Sequence, residues 1–123
     1  MAKTILIVED DPKSMKLTND LLKISGYATI QATDGKQGVE LAKSAKPDLI
    51  LMDIMMPNMD GYTACREIKA DQSTRNTPVV MLTAVGYDLN KKLAKQMGAD
   101  GYITKPFSRQ QLIDAISPLL ANS

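Results

Sequence analysis

Short apolar runs alternate with stretches of helical periodicity along the whole chain. The apolar runs predict five strands, at residues 4–8, 27–32, 49–52, 79–82 and 101–103. The third and fourth runs are apolar at every position, which is typical of strands buried in the middle of a parallel sheet. A turn and a helical pattern follow each run. Five such units predict an α/β fold with a doubly wound parallel sheet, helices on both faces and right-handed crossovers.

The segments between the strands predict five helices. Asp11 and Pro12 are typical of a helix start, because an aspartate can cap free N–H groups and proline fits the first helical position. Pro118 should kink or end the fifth helix early, because it lacks an N–H group. The expected helical stripes are Leu17, Leu21 and Ile24; Gly38, Leu41, Ala42 and Ala45; Gly61, Ala64, Cys65 and Ile68; Leu89, Leu93 and Met97, in a helix over 88–97; and Leu112, Ile113 and Ile116.

Composition narrows the possible functions. The chain has 123 residues, 44% of them hydrophobic and 24% charged, which fits one globular domain. Its formal net charge of +1 argues against a non-specific nucleic-acid binder. It has no histidine and one cysteine, Cys65, which excludes a Ser-His-Asp triad, a phospho-histidine of its own, an internal disulfide and a thiolate zinc site. No apolar run approaches the roughly 20 residues of a membrane span. We therefore expect a soluble, cytoplasmic protein.

Chemically capable side chains follow the predicted strands. Glu9 and Asp10 follow the first strand, Asp53 the third, Thr83 the fourth and Lys105 the fifth. Ligands bind outside the carboxyl ends of the strands in such sheets. Two carboxylates about 4 Å apart repel by about 4 kcal/mol at an effective dielectric near 20, so the acidic cluster needs a cation. An all-oxygen ligand set favours Mg²⁺.

A hard cation, the Lys105 ammonium and the Thr83 hydroxyl around one carboxylate would make a pocket for a phosphoryl group. A carboxylate can itself be the nucleophile and form an acyl phosphate. The chain lacks the glycine motifs G-x-x-x-x-G-K-[ST] and G-x-G-x-x-G, which disfavours an NTPase or a dinucleotide-binding protein.

Four segments carry a strong pattern: 5–11 (ILIVEDD), 48–61 (DLILMDIMMPNMDG), 81–84 (MLTA) and 98–107 (GADGYITKPF). Together they resemble the receiver domain of bacterial two-component response regulators. The resemblance covers essentially the whole chain and implies a (βα)5, flavodoxin-like or CheY-like fold with strand order 2-1-3-4-5. Asp11-Pro12 and the run Met15-Lys16-Leu17 are most similar to stand-alone, DivK-type members.

The resemblance implies a role for each residue at the strand ends. Asp53 would be the phosphoacceptor, and Glu9, Asp10, Asp53 and the carbonyl group of Met55 would bind Mg²⁺.

Other roles concern the phosphoryl group and the switch. Thr83 and Lys105 would contact the phosphoryl oxygens. Tyr102 would be the switch aromatic that responds to Thr83, and the Lys105-Pro106 bond would be cis.

The resemblance also implies a function. Residues 1–123 would form a single receiver domain without an output domain. It would accept a phosphoryl group from a sensor histidine kinase or a histidine phosphotransfer protein and promote its own phosphorylation and dephosphorylation. A downstream target protein would bind the face formed by the fourth helix, fifth strand and fifth helix, and phosphorylation would switch this contact. Direct DNA binding and membrane binding are not expected.

Two other functions compete with this one. A phosphatase that forms an aspartyl phosphate usually carries D-x-D, but Met55 stands where the second acid would be. The other is an adaptor that keeps the fold but does not depend on phosphorylation. The intact acidic cluster argues against it, because buried like charges are costly to keep without a function.

Several residues allow a plainer interpretation. Asp11 is better explained as a helix cap than as a third acid of the cluster, and Cys65 as inert core. Tyr102 could be an ordinary strand residue. Two groups have two interpretations each. The loop methionines either pack beneath the site or form an apolar patch that faces a partner: Met55, Met56 and Met59. The lysines of the fourth helix form either a solvated face or a docking site for an acidic partner: Lys91, Lys92 and Lys95.

Overall fold

A parallel sheet forms the centre of the molecule. The computed structural model describes residues 2–56, 59–84 and 91–121. The strands are β1 Thr4–Val8, β2 Ala28–Ala32, β3 Leu49–Asp53, β4 Val79–Thr83 and β5 Gly101–Thr104. The helices are α1 Pro12–Ile24, α2 Gly35–Ala45, α3 Gly61–Ala70, α4 Lys91–Gln96 and α5 Arg109–Leu120. All neighbouring strands pair in parallel in the order β2-β1-β3-β4-β5, which confirms the predicted topology. Leu89 and the predicted start of the fourth helix lie outside the described residues.

Helices cover both faces of the sheet. In β1, Ile5 and Ile7 pack in one apolar cluster, and Leu6 and Val8 pack in the other. This alternation follows from the two-residue repeat of a strand. The first cluster includes buried residues of α1 and α5, and the second includes those of α2 and α3. Every residue of β3 and β4 is buried, as their continuous apolar runs predicted.

The buried face of α1 differs from the prediction. Leu17 is 52% exposed and Ile24 is 70% exposed, so of the predicted Leu17–Leu21–Ile24 stripe only Leu21 packs against the core. The buried residues of α1 are Met15, Thr18, Asn19 and Leu22, which follow the same helical spacing on another face. This face can be buried because the Asn19 Oδ1 atom accepts a hydrogen bond from the Thr29 hydroxyl at 2.6 Å.

Pro118 does not end α5 early. The helix continues through it to Leu120, which is buried in the core. Pro118 lies in the last turn, where the bond lost is the one that its own N–H group would have donated to the carbonyl of Asp114. The Ala121 N–H group still donates to the Ser117 carbonyl at 3.0 Å.

Candidate phosphoryl and metal site

The carboxyl ends of the central strands bring the candidate residues to one edge of the sheet. Asp53 is the last residue of β3 and Thr83 is the last residue of β4. Asp53 is in register with Leu82, so these two ends differ by one residue along the sheet. Glu9 directly follows β1, and its N–H group donates to the carbonyl of Ala32 at the end of β2 at 3.0 Å.

Three carboxylates converge at this edge. One oxygen atom each from Glu9, Asp10 and Asp53 lies within 4.8 Å of the other two. Glu9 is 1% exposed and Asp53 is also buried, whereas Asp10 is exposed. The cluster therefore has a buried floor and one side open to solvent.

Lys105 balances part of this negative charge. Its Nζ atom donates a hydrogen bond to the Glu9 Oε1 atom and lies 3.6 Å from the Asp53 Oδ2 atom. The Lys105-Pro106 peptide bond is cis, which confirms that expectation. In this structure Lys105 therefore forms a hydrogen bond with Glu9 and an ion pair with Asp53.

The environment of Glu9 disfavours its ionised form. Burial raises the pKa of Glu9 to about 7, and the neighbouring Asp53 carboxyl group acts in the same direction, while Lys105 acts against it. The Glu9 Oε2 atom is buried without a hydrogen-bond partner among the described residues. A divalent cation between the carboxylates would satisfy this oxygen and favour the ionised form. The oxygen donors fit a hard ion such as Mg²⁺.

Thr83 presents a second unsatisfied polar atom. Its Oγ1 atom is buried and has no hydrogen-bond partner within the part of the chain that the structure describes. Leaving a buried hydroxyl unpaired costs about 1–3 kcal/mol. An anionic oxygen bound at the end of β3 or β4 would give the hydroxyl an acceptor.

Sequence comparison identifies the family. A family profile described as the response regulator receiver domain matches residues 5–117. The chain belongs to this family. Receiver domains are the phosphoacceptor domains of two-component signalling, and they interact with histidine kinases and downstream targets.

Two curated proteins are similar in sequence to this chain. The polar-differentiation response regulator DivK of Brucella anthropi is 37% identical over 123 residues, which is the whole of both chains. The DNA-binding dual master transcriptional regulator RpaA of Synechocystis is 41% identical over 116 residues. That match covers 94% of this chain but 48% of RpaA, so the chain spans about half the length of that relative.

Solved structures share the fold. The chemotaxis protein CheY4 of Vibrio cholerae superimposes with a TM-score of 0.90 at 27% identity, over 98% of this chain and all of that one. The receiver domain of a Pseudomonas aeruginosa sensor histidine kinase has a TM-score of 0.85 at 34% identity, over 99% of this chain and 97% of that one. The latter structure holds a magnesium ion coordinated in the active site cleft.

The methionines in the loop after Asp53 differ in their exposure to solvent. Met56 and Met59 pack against the apolar cluster, whereas Met55 is 60% exposed. The Met55 N–H group donates to the Asp53 Oδ1 atom at 3.2 Å, which helps to orient the carboxylate of the receiver domain. Structural packing therefore explains Met56 and Met59 but not Met55.

Sequence reasoning missed one close contact. It placed Gly61 in a buried helical stripe, which is correct, but did not connect it with Asp53. A Cβ atom on Gly61 would lie 2.3 Å from the Asp53 carbonyl oxygen, and the Gly61 N–H group donates to the Ile54 carbonyl at 2.9 Å. The signal in the sequence is a glycine directly after Asp60, the N-cap of α3.

Two of the plainer interpretations are confirmed. Asp11 caps α1 by accepting a hydrogen bond from the Ser14 N–H group at 3.0 Å, and this bond lowers the pKa of Asp11. The Cys65 thiol is buried and donates weakly to the Met97 carbonyl at 3.5 Å. Burial raises the pKa of Cys65 to about 11, so the reactive thiolate is suppressed.

The candidate switch and docking residues lie on the β5 and α4 side. Tyr102 of β5 is 46% exposed and lies opposite Met81 of β4, while Thr104 lies opposite Thr83. Lys92 and Lys95 of α4 are exposed; the Lys91 side chain lies outside the described atoms. In the described part of the chain, no helix is long and apolar enough to cross a bilayer.

Proposed function

We propose that this receiver domain accepts a phosphoryl group from a phospho-histidine onto Asp53 in a Mg²⁺-dependent reaction. The observation that carries the proposal is the convergence of the Glu9, Asp10 and Asp53 carboxylates within 4.8 Å, next to Lys105. The Glu9 Oε2 and Thr83 Oγ1 atoms, which lack partners among the described residues, add support, because a cation would satisfy the first and an anionic ligand the second.

The carboxylates of Glu9, Asp10 and Asp53, together with the carbonyl of Met55, would hold the Mg²⁺ ion. When bound, the ion would neutralise the carboxylates and the phosphoryl oxygens. The magnesium ion in the cleft of the Pseudomonas aeruginosa receiver domain supports this assignment.

Each remaining residue has a distinct part in the transfer. A carboxylate oxygen of Asp53 would attack the phosphorus atom, forming a P–O bond as the P–N bond to histidine breaks. The electron pair of that bond leaves with the imidazole. The Thr83 hydroxyl would donate a hydrogen bond to a phosphoryl oxygen, and Lys105 would neutralise developing charge. The sequence contains no histidine, so the donor histidine lies outside it. A sensor histidine kinase or a histidine phosphotransfer protein fits this role.

Intact-mass measurement tests the proposal. After incubation with Mg²⁺ and acetyl phosphate, we expect one added phosphoryl group per chain. We expect none when EDTA replaces Mg²⁺. An unchanged mass with Mg²⁺, at several concentrations of the phosphodonor, would contradict the proposed reaction.

The adjacent acids Asp10 and Asp11 should respond differently to substitution. Asp10→Asn should abolish Mg²⁺ binding because it removes one of the three clustered carboxylates. Asp11→Ala should leave Mg²⁺ binding nearly intact and lower the unfolding midpoint through loss of the α1 cap. Titration calorimetry and thermal unfolding separate the two effects. The reverse pattern, with metal binding lost only in Asp11→Ala, would show that Asp11 is the ligand.

We further propose that phosphorylation changes protein contacts on the α4–β5–α5 face. A phosphoryl group on Asp53 adds negative charge and three acceptor oxygens. A charge-assisted hydrogen bond would draw the Thr83 hydroxyl toward it. Tyr102 would respond to the space that Thr83 leaves. A coupling of about 1–3 kcal/mol would shift an existing equilibrium and thereby change the affinity for a downstream target protein.

Beryllofluoride with Mg²⁺, which mimics the phosphoryl group, should test this switch. We expect amide shifts to extend from the loop after Asp53 through Thr83 to α4 and Tyr102. The amide of Ile24, at the far end of α1, should stay unchanged and serves as the control. Shifts confined to the Asp53 loop would contradict the switch and favour a simple phosphate carrier.

A further inference from the structure

We infer that Gly35, the first residue of α2, is a positioning residue for the Asp53 site. Because Gly35 has no side chain, α2 packs directly against the end of the loop between β3 and α3. This contact fixes the position of the Asp53 backbone. The inference rests on the proposed function, because it concerns the residues that would hold Mg²⁺.

The contact between Gly35 and the loop leaves no room for a side chain. A Cβ atom on Gly35 would lie 2.4 Å from the Met59 carbonyl oxygen and 3.1 Å from the Met59 Cβ atom. The first distance is far inside van der Waals contact, and the atom concerned belongs to the backbone. Rotation of a side chain therefore cannot relieve the overlap, and either α2 or the loop must move.

The start of α2 is held by contacts with the end of β2 and with β1. Asp34 caps the helix by accepting a hydrogen bond from the Gln37 N–H group at 2.8 Å. The Gln37 side chain in turn accepts one from the Thr33 N–H group at 2.7 Å. Gly38, one turn along, packs directly on Val8, where a Cβ atom would lie 2.8 Å from a methyl group. The loop is therefore the element that would be displaced.

A displacement of Met59 would reach Asp53 through the backbone. Asp60 follows directly and caps α3 through the Thr63 N–H group at 2.9 Å. Gly61 comes next, and its N–H group donates to the Ile54 carbonyl at 2.9 Å. Gly61 also lies so close to Asp53 that a Cβ atom would be 2.3 Å from the Asp53 carbonyl oxygen. Movement at Met59 would therefore press on the residue that carries the acceptor carboxylate.

Gly35→Ala tests this chain of contacts. We expect Mg²⁺ affinity to fall by at least about tenfold, as is typical when a residue that orients metal ligands is changed. The Mg²⁺ dissociation constant is measured from amide shifts, and the unfolding midpoint is measured in EDTA. Both measurements use the full chain.

Two glycine variants provide matched controls. Gly26→Ala should lower the unfolding midpoint, because Gly26 has a φ of +95°, although no atom would crowd its Cβ. Gly26 precedes β2 at the opposite edge of the sheet, so Mg²⁺ affinity should be unchanged. Gly101→Ala should change neither the unfolding midpoint nor the Mg²⁺ affinity, because its Cβ would make an ordinary 3.8 Å contact with Val80.

The outcomes separate this inference from the proposed function. Weaker Mg²⁺ binding in Gly35→Ala, with normal binding in Gly26→Ala, supports the inference. Lower stability with unchanged Mg²⁺ affinity in Gly35→Ala overturns it and makes Gly35 a purely structural residue. If wild-type protein binds no Mg²⁺, the proposed function fails, and the inference fails with it.

A measurement on wild-type protein covers the case in which Gly35→Ala does not fold. During Mg²⁺ titration, the Gly35 amide resonance should shift with the same dissociation constant as that of Asp53, and the Gly26 amide should not. A silent Gly35 amide, with Asp53 shifting, overturns the inference.

Discussion

Asp53→Asn is expected to abolish phosphoryl labelling completely. The asparagine amide has nearly the shape of the carboxylate, so the fold should survive. It lacks the nucleophilic oxygen anion, however, and therefore cannot form an acyl phosphate. The substitution also removes one charge from the acidic cluster. The measurement is the intact mass after incubation with Mg²⁺ and acetyl phosphate.

Asp60→Asn is the matched control, because Asp60 lies in the same loop. Asp60 caps α3 by accepting hydrogen bonds from the Thr63 N–H group at 2.9 Å and the Thr63 hydroxyl at 3.2 Å. Asparagine caps helices as well as aspartate does, so this variant should fold and label like wild type. Stoichiometric labelling of Asp53→Asn, or loss of labelling in Asp60→Asn, would contradict the assignment of the acceptor.

The sequence predicted the fold well because its strongest signals are local. The runs at β3 and β4 are apolar throughout, and the structure buries both strands completely. The face of α1 was harder, because two sets of residues share the helical spacing. The structure buries the set that contains Asn19, whose partner Thr29 lies in the next strand. A choice that depends on a tertiary hydrogen bond is not visible in the periodicity of one helix.

The candidate site was predictable in position but not in its internal contacts. Strand ends in a parallel sheet meet at one edge, so Glu9, Asp53 and Lys105 could be brought together from their order alone. Whether the lysine pairs with Glu9 or with Asp53 depends on distances that the sequence does not fix. The contact of Gly61 with the Asp53 carbonyl was equally invisible, because it depends on how closely two backbones approach.

The direct pairing of Lys105 with Glu9 predicts a large effect of Lys105→Met. Glu9 is 1% exposed, and Lys105 is the cation that contacts it among the described residues. Removing one partner of a buried ion pair leaves the other charge without compensation. Protonation of Glu9, whose pKa is about 7, limits the cost. At pH 8 in EDTA we therefore expect a loss of about 1–2 kcal/mol in the free energy of unfolding, measured by urea denaturation.

Lower pH and added Mg²⁺ should each reduce this loss. The raised pKa of Glu9 means that the folded state holds the proton more tightly than the unfolded chain. The contribution of Glu9 to stability should therefore rise as the pH falls from about 7 toward its ordinary pKa of 4.5, and the deficit of Lys105→Met should shrink. A cation bound by the three carboxylates would replace the missing ammonium. Because the ammonium would no longer compete for Glu9, the variant should bind Mg²⁺ more tightly than wild type. At one Mg²⁺ concentration, tighter binding stabilises the folded state more.

Lys16→Met is the control for loss of one lysine charge. Lys16 pairs with Asp20 at 2.7 Å on the exposed surface of α1, and such pairs contribute little to stability. Its unfolding midpoint and its response to Mg²⁺ should match those of wild type. Equal Mg²⁺ stabilisation of Lys105→Met and wild type would show that the ammonium does not compete with a cation for Glu9. Unchanged stability of Lys105→Met in EDTA would show that Glu9 does not need Lys105 to remain buried.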